Sequence, residues 1–216
     1  IPVKLLVLSG MTGCGKTEIL HEIKKLGAQM IDLEGMANHK GSTFGHVGQK
    51  LQPSTEQYEN NIAALWRSFD FSKPVWIEDE SRNVGRVQVP ETLFALMTRA
   101  TVLGIDFPRT YRVDRLVAEY AGIDDTAIAL SLQKIKDSLG NQNVQNLQLL
   151  LSNRQYPAFV DKILDYYDQS YDYGLKRRAF SRIEKMSPKG LNPKDQAIEI
   201  LDFTNNIFNG VVEYER

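Results

Sequence analysis

The sequence predicts an α/β protein: a parallel sheet flanked by helices, followed by a mainly helical C-terminal portion. Three observations carry the prediction. An apolar stretch, Val3-Lys4-Leu5-Leu6-Val7-Leu8, runs into the glycine-rich turn Gly10-Met11-Thr12-Gly13-Cys14-Gly15-Lys16-Thr17 and then into a helical pattern from Glu18 to Leu26. Strand-like and helix-like segments alternate through the first half, which points to crossover connections and therefore to parallel strands. From Arg109 onward the apolar spacing is helical.

The turn at 10–17 matches the pattern G-x-x-x-x-G-K-[ST] at every fixed position, so the expected fold is P-loop NTPase-like. Its glycines let successive backbone N–H groups converge on one anion, and the helix that starts there adds a partial positive charge. Gly10, Met11, Thr12, Gly13, Cys14, Gly15, Lys16 and Thr17 are thus the expected phosphate cradle. Lys16 offers an ammonium to the outer oxygens and is a catalytic candidate; Thr17 offers a hydroxyl to Mg²⁺. The loop specifies a phosphate or diphosphate ester without identifying it, and ATP or GTP would also fit. Cys14 has two readings: a thiol activated by the helix N-terminus, or a small residue filling a small position.

Past the first helix, Gly27 is a stop signal and Gln29-Met30-Ile31-Asp32-Leu33 reads as a second strand. Residues 34–48 form a glycine-rich segment without a period, of the length that loops reach when they carry function. Ser54 and Gln57 have the spacing of a capping box, and Tyr58, Ile62, Leu65, Trp66 and Phe69 continue a helix to about Asp70. Pro74 to Glu80 reads as a third strand that ends in acids, Pro90 to Ala100 as a helix, and Val102 to Phe107 as a fourth strand. Helices are then expected at about 110–121, 125–139, 143–152, 157–172 and 195–208, with breaks at Gly140, Pro157, Gly174 and 187–190. Residues 1–122 would form the P-loop core and 123–216 a helical portion packed on it.

Composition narrows the function classes. A formal net charge of −1 over 216 residues gives no global basic field for a polyanion, so any nucleic-acid surface must be local. A single cysteine excludes an internal disulfide and suits a reducing, cytoplasmic setting. No apolar run nears the roughly 18 residues that span a bilayer, so no membrane partner is expected. The chain opens on Ile1-Pro2, which suggests a piece or a mature form of something longer.

Ligands of open α/β sheets sit beyond the carboxyl ends of the strands, which selects the remaining candidates. Asp79, then Glu78, are the expected metal-side and catalytic acids at the end of the third strand, because alternation sends neighbouring side chains to opposite faces. Asp32 and Glu34 end the second strand and either orient a substrate hydroxyl or water or form a polar loop entry. Asn38, His39 and Lys40 lie in the glycine-rich segment, where His39 either moves a proton or is a surface histidine. Arg82 and Arg86 follow the third strand, and Arg109, Arg112 and Arg115 the fourth; each group either grips a second phosphate or an RNA backbone or pairs with nearby acids. The tyrosines of 166–173, interleaved with Asp161, Asp165, Asp168 and Asp172, read as the packed face of a helix. Lys176-Arg177-Arg178 is a short basic run suited to RNA.

These residues carry a family resemblance. The loop 10–20, the segment Ile31-Asp32-Leu33-Glu34-Gly35-Met36-Ala37-Asn38-His39-Lys40-Gly41-Ser42-Thr43-Phe44-Gly45, Gln52-Pro53-Ser54 and Trp76-Ile77-Glu78-Asp79-Glu80-Ser81-Arg82 together resemble the P-loop domain of tRNA 2-selenouridine synthase, over about residues 3–120. The resemblance implies an enzyme, a transferase that converts the wobble 2-thiouridine of certain tRNAs to 2-selenouridine. It implies selenophosphate as donor, an S-geranyl intermediate made from geranyl diphosphate, and a rhodanese domain bearing the catalytic cysteine. That rhodanese half is absent from these 216 residues, and Cys14 does not correspond to its cysteine. A diphosphate head group would suit the P-loop, with Mg²⁺ held by Thr17 and Asp79. The alternatives are a nucleotide-dependent small-molecule kinase or NTPase and a non-catalytic tRNA-binding module.

Overall fold

The computed structural model describes residues 3–120, 122–176, 180–190 and 192–207. Strand β1 (Leu5–Ser9) is buried along its whole length, as a near-continuous apolar strand must be when helices cover both faces of its sheet. Helix α1 (Lys16–Lys25) follows the glycine-rich turn directly, with Glu18 in its first turn and Lys24 and Lys25 in its last, each complementing the helix dipole. Then come β2 (Gln29–Ile31), α2 (Leu33–Ala37), α3 (Thr55–Trp66) and β3 (Val75–Glu78). Ser54 caps α3 by accepting from the Gln57 amide at 3.1 Å, as the capping-box spacing predicts. A small antiparallel hairpin, β4 (Asn83–Val84) and β5 (Val87–Gln88), precedes α4 (Glu91–Met97) and β6 (Thr101–Ile105). The helical part comprises α5 (Arg109–Tyr120), α6 (Asp125–Lys134), α7 (Lys136–Leu139), α8 (Asn141–Ser152) and α9 (Tyr156–Lys176). Strand β7 (Arg182–Met186) and helix α10 (Pro193–Ile207) close the described chain.

The main sheet has the order β2-β3-β1-β6-β7, and all its pairings are parallel. Alternation along β1 divides the core. Leu5 and Val7 pack with Val75, Ile77 and Val102 beneath α3 and α4, whereas Leu6 and Leu8 pack with Ile19, Ile23, Trp76 and Ile200 beneath α1 and α10. A third cluster holds the helical part together through Leu116, Ile128, Leu147, Phe159 and Ile163. Phe44 enters it from the glycine-rich segment, with ring centroids 5.6 Å from Tyr120, 6.4 Å from Phe159 and 6.3 Å from Tyr167.

The α/β class with a parallel sheet is as predicted, but several elements differ. The segment after Arg109 is not helical throughout: β7 returns to the sheet beside β6, and α10 packs against α1. Strand β7 reads Arg-Ile-Glu-Lys-Met and lies at the sheet edge, where charged side chains block further pairing and hide the strand pattern. The expected helix at 125–139 breaks at Ile135 into α6 and α7, whereas Gly174 lies inside α9 rather than ending it. The glycine-rich segment contains the short helix α2, so β2 stops at Ile31 and Asp32 caps the helix instead of extending the strand. Phe44 joins that segment to the helical part, and truncating so buried a ring removes transfer energy and leaves a cavity. Phe44→Ala is expected to lower unfolding free energy by about 3 kcal/mol or more, read from the urea midpoint; an unchanged midpoint would contradict this role for the ring.

Candidate functional site

The turn from β1 to α1 is built by backbone conformation. Gly13 and Gly15 have φ of 87° and 75°, a region costly for residues with a Cβ, and a Cβ at Gly10 would stand 2.8 Å from the Ile105 carbonyl oxygen of β6. Gly15 is the N-cap of α1, so the loop delivers the chain to a helix start. Lys16 folds across it, donating to the Gly10 carbonyl at 2.7 Å. Cys14 is buried in the core with Leu103 and Ile105 of β6, and burial raises its thiol pKa against the pull of Lys16 and Arg112. It fills space.

Above the loop lies a cleft of about 510 Å³. Gly10, Thr12, Gly13, Gly15, Lys16 and Thr17 form one end, with Glu34, Asp79 and Glu80 beside them. The helical part and the glycine-rich segment line the rest of it, with Phe44, Val47, Leu116, Tyr120, Ile123, Tyr166 and Tyr167 beside the polar Lys40, Ser42, Thr43, Arg115, Glu119, Ser170 and Tyr171. The lining thus combines charged and polar groups with apolar and aromatic ones. Lys40 and Glu119 form an ion pair, both lining the cleft, and so link the glycine-rich segment to α5.

The acids do not divide as simple strand alternation predicts, because β3 ends at Glu78 and the next two residues leave the pleat. Asp79 accepts from the Ser9 hydroxyl at 2.5 Å, and Ser9 in turn lies 2.8 Å from the Tyr171 hydroxyl of α9. Glu80 instead joins Glu34 and Glu78, with carboxylate atoms of all three within 4.8 Å of one another. The Thr17 hydroxyl donates to Glu34 at 2.9 Å, so its partner here is Glu34 and not Asp79. Burial, then the charge of Glu34, pushes the Glu80 pKa up to about 8, against the opposing pull of Lys16. Burial raises Glu34 as well, and it holds Glu78 well above the usual carboxylate range, with Glu34 and Glu80 adding to the effect. Glu80, though named as the last of three successive acids, carried no assigned role. Its meeting with Glu34 depends on β2 lying next to β3, which no local pattern reveals.

The other candidates are placed as follows. Asp32 accepts from the Gly35 amide at 2.7 Å and from His21 at 2.8 Å, the work of a helix cap. Asn38 ends α2 with φ of 50° and donates to the Leu51 carbonyl at 2.9 Å. His39 is buried outside the cleft lining, with Nδ1 unpartnered among the described residues and its ring centroid 6.3 Å from that of His46. Arg82 and Arg86 are exposed, Arg82 standing 3.9 Å from Glu91. Arg112 does not open on a ligand. It is buried, donates to the Thr12 carbonyl at 3.1 Å and pairs with Asp168 at 2.6 Å, bracing the loop from behind. Arg109 pairs with Asp161 at 2.5 Å and Asp165 at 2.7 Å, so the acids of α9 engage these arginines rather than facing solvent alone. Arg115, which reaches the cleft, pairs with Glu18. Arg177 and Arg178 of the basic run lie outside the described residues.

Burial, with His46 and Lys134 nearby, lowers the His39 pKa from its ordinary 6.5. The folded state therefore disfavours the protonated ring, and stability is present above the unfolded pKa and lost as pH falls through about 6.5 and then the folded value. His39→Gln is expected to flatten the acid side of a melting-temperature profile between pH 7 and pH 5; an unchanged slope would contradict it.

The family model and the curated relatives agree on the family. The tRNA 2-selenouridine synthase AAA domain matches residues 3–191. A curated tRNA 2-selenouridine synthase from Shewanella frigidimarina is 33% identical over 206 residues, covering 81% of this chain and 55% of that protein. The corresponding protein of Nitrosomonas europaea is 37% identical over 120 residues, covering 54% of this chain and 31% of that protein. Among solved structures, a tRNA isopentenylpyrophosphate transferase from Bacillus halodurans aligns over 97% of this chain and 98% of its own at a TM-score of 0.48 and 10% identity. The chain spans about half the length of the first-named relative. With the match running from the first strand through β7, this chain belongs to the tRNA 2-selenouridine synthase AAA domain family.

Proposed function

We propose that this chain is the diphosphate-binding and prenyl-transfer part of a tRNA 2-selenouridine synthase, taking geranyl diphosphate and a tRNA bearing 2-thiouridine at the wobble position. The observation that supports this reading best is a cleft in which the P-loop and apolar side chains line the same space. Phe44, Val47, Leu116 and Ile123 offer apolar contacts to a prenyl tail within a lining that also carries Lys40, Ser42, Thr43 and Glu119. An allylic diphosphate has the complementary form, an anionic head and an apolar tail.

In the proposed reaction the head group lies on the amides of 13–17 with Lys16 swung from Gly10 onto its oxygens. The thiouridine sulfur forms a bond to the allylic C1 as the C1–O bond breaks. The electron pair leaves with diphosphate, and the N3 proton of the base is released to water. Lys16 and the loop amides stabilise charge that grows on the leaving group, so they favour the transition state over the bound substrate. The apolar wall holds the tail and limits water near the reactive carbon. A divalent cation fits beside Glu34 and Glu80, next to which Glu78 Oε1 is buried and unpartnered among the described residues. When bound it supplies further positive charge at the departing diphosphate.

The selenium step, with selenophosphate as donor, is assigned to the full-length protein, together with a rhodanese domain carried in the length that the relatives have beyond this chain. A cytoplasmic location suits a tRNA substrate, and no helix among the described residues is long and apolar enough to cross a membrane.

Calorimetric titration tests the cleft. Geranyl diphosphate is expected to bind at least about tenfold more tightly than inorganic pyrophosphate, since each buried methylene contributes about 0.8 kcal/mol, and Lys16→Ala is expected to weaken both. Equal affinity of wild type and Lys16→Ala, or steady ATP turnover without tRNA, would contradict the reading, the latter in favour of an NTPase or kinase.

A further inference from the structure

We infer that Glu34, Glu78 and Glu80 form the divalent-cation site of this cleft, and that Asp79, the acid expected on spacing, is not one of its ligands. This deepens the reading above by assigning the metal to different side chains.

Four observations converge on it. Carboxylate atoms of the three glutamates lie within 4.8 Å of one another, a separation at which one ion can bridge them. Glu78 is 1% exposed, and its Oε1 has no hydrogen-bond partner among the described residues, although buried carboxylate oxygens are ordinarily satisfied. Gly41 closes over the group from the glycine-rich segment. A Cβ there would stand 2.6 Å from Oε1 of both Glu34 and Glu80, and the φ of 63° at Gly41 is one that residues with a side chain rarely adopt. Finally, the charge of Lys16 reaches Glu34 and Glu80, but its Nζ donates its hydrogen bond to the Gly10 carbonyl.

The donor set also identifies the class of ion. Three carboxylates with no nitrogen or sulfur ligand select a hard cation such as Mg²⁺, Mn²⁺ or Ca²⁺. The Thr17 hydroxyl, which would be expected on the metal itself, donates to Glu34 at 2.9 Å and so orients a ligand. Asp79 accepts from Ser9 at 2.5 Å, and Ser9 lies 2.8 Å from the Tyr171 hydroxyl, so that acid joins the sheet to α9. Glu34 comes from α2 and Glu78 from β3, while Glu80 follows β3. The cation would therefore tie the glycine-rich segment to the sheet beside the P-loop.

Mn²⁺ titration of this chain, followed by loss of the free-ion electron paramagnetic resonance signal, tests the assignment with and without inorganic pyrophosphate. The wild type is expected to take up one Mn²⁺. Glu34→Gln and Glu80→Gln are each expected to weaken uptake about tenfold or more, while Asp79→Asn stays close to wild type. Glu80→Gln is also expected to lose the rise in melting temperature that Mn²⁺ gives the wild type. Absence of Mn²⁺ uptake in either condition, or uptake lost in Asp79→Asn and retained in Glu80→Gln, would overturn the assignment. Uptake lost in Glu80→Gln supports it even if Lys16→Ala leaves pyrophosphate binding unchanged, a result that would overturn only the phosphate cradle.

Discussion

The glycine-rich turn between β1 and α1 is the constraint on which the rest depends. Left-handed conformations at Gly13 and Gly15 aim the chain into a helix N-terminus, and the close approach of Gly10 to Ile105 ties that turn to the neighbouring strand. From this follow the central placement of β1, the burial of Cys14 beneath the loop, and the position of Lys16 at the mouth of the cleft. A side chain at any of these glycines would either strain the backbone or displace β6. The support is not local to the turn. Arg112, buried on α5, donates to the Thr12 carbonyl and pairs with Asp168 of α9, so the helical part braces the loop through a buried, hydrogen-bonded charge.

The opposite side of the cleft is assembled by long-range contacts. Phe44 leaves the glycine-rich segment and inserts among Tyr120, Phe159 and Tyr167, while Lys40 pairs with Glu119 beside it. These contacts hold apolar side chains in a cleft that Glu34 and Glu80 also line, with Glu78 buried close to both. Burial raises the proton affinity of all three, and repulsion from Glu34 adds to it at Glu78 and Glu80. A bound anion would seek Lys16 and the loop amides, and the carboxylates would seek a cation between themselves and that anion. The two demands are complementary, and both are met within one cleft.

The P-loop was legible because its information is local: strand, glycines, lysine and helix are contiguous in the chain. The capping of α3 by Ser54 was legible for the same reason. Strand β7 was not, because an edge strand rich in charge has neither an apolar run nor a clean alternation. Arg109 and Arg112 looked like ligand grips from their place after β6. Their partners lie on α9, more than 45 residues away in the chain, and only the packed helices show that their charge is already matched. Glu80 went unassigned for the converse reason. Its neighbours in sequence suggested a strand end, and its neighbour in space, Glu34, comes from the far side of β2. Asp32 shows how an acid beside a phosphate site can serve the backbone, capping α2 so that Glu34 and Gly41 are brought to the cleft.

The central claim is that one cleft receives a diphosphate on the loop amides and an apolar chain on the wall formed by Phe44, Leu116 and Ile123. A crystal structure of this chain grown with geranyl diphosphate and Mg²⁺ tests it most directly. The account predicts phosphate oxygens within hydrogen-bonding reach of the amides of 13–17 and of Lys16 Nζ, with the prenyl chain lying against that wall. Phosphates bound away from the loop, or a prenyl chain directed into solvent with the wall bare, would contradict it.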